Sequence, residues 1–147
     1  HGGLRPQSSK ASGLMLAGDP RAAAVCDYDH DGRPDLTVTQ NAGRTALYHN
    51  QSGSPCLRLL LRHASTGRPA VGATVRAEYA NGHLGPALSL ELGSGYWSQH
   101  ASTLLLGRSP EIKAVQIQWP GGRKTREPIP ADTREISLNE SGLVQPK

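Results

Sequence analysis

Hydrophobic and polar positions along this chain alternate with a period of two far more clearly than with any helical period. Ala73-Thr74-Val75-Arg76-Ala77-Glu78-Tyr79 switches character at each step, and Ala114-Val115-Gln116-Ile117-Gln118-Trp119 does so from Val115 onward, as strands with one buried face do. Shorter apolar or β-branched runs predict further strands over 22–26, 36–39, 46–49, 57–62, 87–92, 98–106 and 134–138. Turn signals separate these runs at intervals of about 8 to 12 residues, the rhythm of a sandwich or barrel. Asn81-Gly82 predicts a two-residue hairpin, and Pro120-Gly121-Gly122 turns the chain after Trp119. With no convincing amphipathic helix, the expected fold class is all-β: an antiparallel β-sandwich preceded by an N-terminal β-hairpin. The expected division is a flexible lead-in over 1–21, a strand–loop–strand unit over 22–50, a sandwich over 51–140 and a tail over 141–147.

Composition sharpens this picture. A chain of 147 residues can enclose one full core plus a short extra element. The 17 Gly and 11 Pro, with 36% apolar residues and no Phe, suit short strands and frequent turns. Lys and Arg exceed Asp and Glu by 16 to 12, a net charge of +4. The basic residues are scattered, however, and the densest group, Arg123-Lys124-Thr125-Arg126, is short and lacks an interleaved aromatic series. Nucleic acid is therefore not an expected partner. The longest aliphatic stretch, Leu57 to Leu61, is interrupted by Arg58, so no membrane span is expected. The opening His1-Gly2-Gly3 has neither an initiator Met nor a signal peptide and reads as a trimmed or excised piece. Cys26 and Cys56 are compatible with one disulfide in an oxidising compartment or with two buried thiols, and both readings stand.

The chemistry concentrates in Asp27-Tyr28-Asp29-His30-Asp31-Gly32-Arg33-Pro34-Asp35-Leu36. Carboxylates occupy loop positions 1, 3, 5 and 9, and Gly32 permits a sharp turn at position 6. Ca²⁺ takes six to eight oxygens at roughly 2.3 to 2.6 Å, and alternate acidic side chains on a tightly curled loop converge to supply them. Asp27, Asp29, Asp31 and Asp35 are the candidate side-chain ligands, and the carbonyl of Arg33 adds a further oxygen. Without a cation, so many carboxylates in one loop repel one another, so calcium is expected to steady the fold. An EF-hand would need a bidentate acid at position 12, where this chain has Val38, and helical flanks, where it has strands. His30 should point outward to solvent.

These residues make the stretch from Ala23 to Gln40 resemble an FG-GAP or VCBS-type repeat, the β-propeller blade unit with a DxDxDGxxDL calcium loop. Blades of that kind normally come in tandem, so a single motif resembles a last blade fragment. Beyond Asn50, three motifs are similar to the ASPIC/UnbV domain that follows such repeats in cartilage acidic protein-like exported proteins. They are Gly72-Ala73-Thr74-Val75, then Gly93-Ser94-Gly95-Tyr96-Trp97-Ser98-Gln99, then Val115-Gln116-Ile117-Gln118-Trp119-Pro120-Gly121-Gly122. A departure falls at Leu105-Leu106-Gly107-Arg108, where the family commonly has an aromatic followed by Gly-Leu-Gly. The resemblance implies a secreted, cell-surface or periplasmic location and informs fold more than mechanism.

No acid, base and nucleophile set is readable, so the chain is expected to be non-enzymatic. Gly93-Ser94-Gly95 lacks the strand–elbow–helix context of a nucleophilic serine, whichever of His63, His83 or His100 is paired with it. Tyr96, Trp97 and Trp119 fit either a sugar-stacking platform or the core, and the scarcity of aromatics, 4% of residues, favours the core. Asn50-Gln51-Ser52 and Asn139-Glu140-Ser141 are formal glycosylation sequons. The expected function is a non-catalytic, calcium-stabilised extracellular binding or adhesion module whose partner is a protein or a glycan. The alternative is a carbohydrate-binding module appended to an exported enzyme, using Tyr96, Trp97 and Gln99.

Overall fold

The computed structural model describes residues 5–109 and 111–143. Eleven strands and one short helix are found among them: α1 Ser9–Ser12, β1 Asp19–Cys26, β2 Asp35–Asn41, β3 Ala46–Tyr48, β4 Leu57–Leu61, β5 Thr74–Tyr79, β6 Leu88–Ser89, β7 Thr103–Leu106, β8 Ile112–Gln118, β9 Lys124–Pro128, β10 Glu135–Asn139 and β11 Gly142–Leu143. They form three sheets, ordered β1-β2-β3, β11-β10-β4-β7 and β6-β5-β8-β9. The expected all-β class holds.

The two four-stranded sheets pack face to face. Alternation along β4 sends Leu57, Leu59 and Leu61 inward, and Ile136 and Leu138 join them from β10. Val75 and Ala77 of β5 and Ile112, Val115 and Ile117 of β8 face them from the second sheet. Trp119 lies in this core with 1% of its surface exposed, and its indole N–H donates to Thr125 Oγ1 at 2.9 Å. One pairing departs from the antiparallel expectation: β10 runs parallel to β4, with Ile136 opposite Leu59, so that sheet is mixed.

The first sheet is an antiparallel meander. Cys26 pairs with Asp35 across β1 and β2, and Leu36 pairs with Tyr48 across β2 and β3, so the acidic segment is the turn joining the first two strands. Four contacts fasten this sheet to the sandwich. The Cys56 amide donates to the Gly32 carbonyl at 2.8 Å, the Ala101 amide to the Val25 carbonyl at 3.3 Å, and the Val25 amide to His100 Nδ1 at 3.0 Å. The fourth is an ion pair between Arg58 of β4 and Asp27.

Several local expectations change. β1 begins at Asp19, inside the stretch read as a lead-in, and that stretch also carries α1; residues 1–4 lie outside the described residues. The tail begins with β11, which pairs with β10, while 144–147 lie outside the described residues. β9 was not anticipated because its basic and Pro-bounded sequence shows no apolar alternation. Asn81-Gly82 does not form the centre of a two-residue turn. The Gly82 amide donates to the Tyr79 carbonyl at 2.9 Å and the Tyr79 amide to the His83 carbonyl at 2.9 Å, a three-residue loop closed by Gly82 at φ +80°.

The largest change concerns the aromatics. Trp119 is core, but Tyr96 and Trp97 are 72% and 85% exposed on the loop between β6 and β7. That core is filled mainly by aliphatic residues of both sheets, and Trp97, at φ +54°, follows the positive-φ glycines Gly93 and Gly95 on a loop that holds it out. Scarcity of aromatics therefore did not send these two inside.

Candidate metal centre

The acidic loop curls because its own side chains accept from the backbone. The Asp31 amide donates to Asp29 Oδ1 at 3.2 Å, the Arg33 amide to Asp31 Oδ1 at 2.7 Å and the Gly32 amide to Asp27 Oδ2 at 3.0 Å. Gly32 is required twice over. Its φ is +87°, and a Cβ there would lie 3.1 Å from Pro55 Cβ and 3.3 Å from the Cys56 carbonyl oxygen. A side chain there would require Pro55 and the Cys56 carbonyl to yield slightly, in addition to the strain of the positive φ.

Asp27, Asp29 and Asp35 bring one carboxylate oxygen each to within 4.8 Å of one another. Asp35 is fully buried, and its two oxygens accept from the Asn50 amide at 2.8 Å and the Tyr28 amide at 3.2 Å. The Asp27 side chain is 1% exposed. Its Oδ2 meets Arg58 and the Gly32 amide, but its Oδ1 is buried without a hydrogen-bond partner among the described residues. An orphaned carboxylate oxygen in that position is costly unless a cation or donor meets it.

Asp29 and Asp31 lie nearer the surface. Arg33 clasps the loop: its guanidinium meets Asp31 Oδ2 at 2.7 Å, and its Nε donates to the Asn50 carbonyl at 3.0 Å. The hydrogen bond from the Arg33 amide, aided by the Arg33 charge and a hydrogen bond from His49, holds the Asp31 carboxyl below its ordinary range. The Arg33 carbonyl is a candidate donor on its loop position alone. His30 is exposed, as expected, at φ 63°. Asp27, Asp29 and Asp35 thus converge, Asp31 falls in a second group with Asp29 and His49, and an oxygen-rich set with an unmet buried oxygen fits Ca²⁺. Asp27, Asp29, Asp31 and Asp35 would hold the ion, which would supply the positive charge the cluster lacks.

Sequence reasoning missed two participants. Arg58 reaches Asp27 from the outer face of β4 and donates through Nε to Glu135 at 2.7 Å. Burial works against its charge, but the hydrogen bonds to Glu135 and Asp27 outweigh that and hold the guanidinium above its ordinary range. The second is His49, whose Nε2 lies 3.0 Å from Asp29 Oδ2 and 3.7 Å from Asp31 Oδ2. A basic residue interrupting an apolar strand was the available signal for the first. For the second it was the β2–β3 hairpin, whose register returns the residue after Tyr48 to the loop.

Elsewhere, Gln99 is exposed beside Tyr96 and Trp97, whose ring centroids are 6.1 Å apart at 43°. Ser94 Oγ accepts from the His100 amide at 3.3 Å, while His63 pairs with Glu140 at 2.9 Å. Cys26 and Cys56 are both free thiols lining one cavity of about 410 Å³ at the junction of hairpin and sandwich. Burial first, then the acidic loop, raises both thiol pKa values, which keeps them protonated.

The fold and this loop define a two-part all-β protein in which a β-meander sets an acidic turn against a sandwich. The sequence profile of the ASPIC and UnbV family matches residues 63–143, more than half of the chain, and the protein belongs to that family. The matched region opens just after β4, although β4 is an inner strand of its sheet. Comparison with curated proteins gives no match. Among the described residues, no helix is long and apolar enough to cross a membrane.

Proposed function

We propose that this protein is a non-catalytic, calcium-binding extracellular module for binding or adhesion, in which calcium has a structural role. The observation that carries the reading is the buried, unpartnered Asp27 Oδ1 within a convergent set of aspartates. In this reading the meander is an FG-GAP or VCBS-type blade fragment. Calcium bound there fixes the loop against Cys56 and Arg58, and so fixes the meander on the ASPIC/UnbV sandwich. The location is secreted, cell-surface or periplasmic, where millimolar calcium is compatible with a modest affinity. The test is calorimetry of chelated and calcium-loaded protein. Calcium should raise the melting temperature, and Asp29→Ala with Asp31→Ala should abolish the gain; equal melting temperatures for the wild type would refute the structural role.

A carbohydrate-binding reading is favoured by one observation, the exposure of Tyr96 and Trp97 on a loop held out by glycines. Exposed rings can stack on the apolar faces of sugars, with Gln99 supplying a polar contact. Polysaccharide binding that disappears in Trp97→Ala would support it, and binding that survives would refute it.

A further inference from the structure

His49 has no task in an all-oxygen calcium shell, yet its imidazole stands against the loop. It follows directly on β3, and the antiparallel register of Leu36 with Tyr48 delivers it beside the loop, although 18 positions separate it from Asp31. Tyr28 packs edge-on against the ring, with centroids 5.7 Å apart at 80°, and fixes its plane. Nε2 faces two carboxylate oxygens, Asp29 Oδ2 at 3.0 Å and Asp31 Oδ2 at 3.7 Å, and the three residues bring one donor atom each to within 4.8 Å of the others.

Those separations suit a small ion. Zinc binds nitrogen and oxygen donors at about 2.0 to 2.2 Å, which in a tetrahedral shell puts neighbouring donors roughly 3.3 Å apart. The two observed distances bracket that value. Calcium, with longer bonds and an oxygen preference, makes no use of an imidazole, whereas borderline transition ions do. The surroundings are also short of positive charge. Behind Asp29 lies the buried Asp27 carboxylate, with its unpartnered Oδ1, so the pocket stays electron-rich even with Arg58 and Arg33 in place.

We propose that Asp29, Asp31 and His49 form a site for a borderline divalent transition ion of the zinc class, open to water in its fourth position. Arg33 is displaced from Asp31 Oδ2 when the ion enters. The proposal rests on the calcium reading only through the shared loop: Asp29 and Asp31 belong to both sets, so the two ions compete. His49 is particular to the transition ion, and Asp27 and Asp35 are particular to calcium. The loop thereby selects between cations by which half of its donors is engaged.

The experiment is isothermal titration of the full chain with zinc chloride and, separately, calcium chloride, on the wild type, His49→Ala and Asp27→Asn. Zinc should bind the wild type with one high-affinity site, weaken at least tenfold in His49→Ala and weaken in the presence of excess calcium. Calcium should bind His49→Ala within threefold of the wild type, which also shows that the variant is folded. Asp27→Asn should lose calcium affinity while keeping zinc affinity within threefold. Zinc bound at another histidine would survive His49→Ala unchanged, and that result, or no zinc binding to the wild type, overturns the proposal. Wild-type protein that binds zinc through His49 but not calcium sinks the calcium reading and leaves this one standing.

Discussion

Replacing Arg58 by Met separates the charge of the metal loop from its packing. Arg58 and Asp27 form a pair whose side chains are 9% and 1% exposed, and Met keeps much of the aliphatic stem while removing the guanidinium. Breaking a buried pair by removing one partner costs about 3 to 5 kcal/mol, because the remaining charge is left uncompensated. Glu135, the other partner, is half exposed and loses little. In chelator, Arg58→Met should therefore lose about 3 kcal/mol, which for a chain of this size lowers the melting temperature by roughly 6 to 12 °C.

Calcium changes that arithmetic. With the ion on the loop, Asp27 has a counter-charge whether or not Arg58 is present, and Arg58 itself no longer competes for Oδ2. The loss in calcium should shrink to about 1 kcal/mol, and the difference of about 2 kcal/mol should appear as a calcium affinity roughly 30-fold tighter than that of the wild type. Thermal melts of both proteins, each in chelator and in saturating calcium, read the stabilities, and calorimetric titration reads the affinity. Equal destabilisation with and without calcium, or weaker calcium binding by the variant, would refute the charge argument and leave Arg58 as a packing residue.

Two further outcomes follow from other parts of the fold. The hydrogen bonds from Arg126 and Gln116 pull the Glu78 carboxyl from 4.5 down to about 2, so its contribution to stability is present above pH 4.5 and is lost as the pH falls towards 2. Acid melts of Glu78→Gln should be flatter than the wild type across that window, and parallel curves would show that the Glu78–Arg126 pair has no part in acid stability. The two tryptophans should part company: Trp119→Ala should cost about 3 to 5 kcal/mol in denaturant melts, whereas Trp97→Ala should change stability by about 0.5 kcal/mol or less. Acrylamide should quench the Trp97 emission freely and the Trp119 emission weakly.

The legible parts of this fold were those where one side chain pattern had one explanation. Alternation in β5 and β8 reflects a sheet with one face on the core, and Trp119 at the end of β8 continues the inward row. The parallel pairing of β10 with β4 left no such trace, since Glu135 to Asn139 would alternate identically beside a neighbour of either direction. The Asn81-Gly82 signal was sound in locating a turn and wrong in its length, because Gly82 serves equally as the left-handed residue closing a three-residue loop. Tyr96 and Trp97 failed for a different reason. Hydrophobicity argues for burial only when the backbone can carry a ring inward, and a loop with positive φ at Gly93, Gly95 and Trp97 turns both rings away.

The same distinction runs through the acidic loop. Its four aspartates were legible as an acidic cluster because residues within one turn are close in sequence, so spacing alone brings them near one another. Arg58 and His49 lie 31 and 22 positions from Asp27, and only strand pairing brings them in. Yet these two decide what the loop is. Arg58 is a positive charge already occupying the buried aspartate, so on the calcium reading it competes with the ion and ties the loop to β4, an inner strand of its sheet. His49 is a nitrogen donor beside Asp29 and Asp31, so in the proposed transition-ion site it sets which cation is held. On the calcium reading, spacing supplies the oxygens, while Arg58 and His49, contributed by the rest of the fold, should govern affinity and selectivity, and they are the ones to vary first.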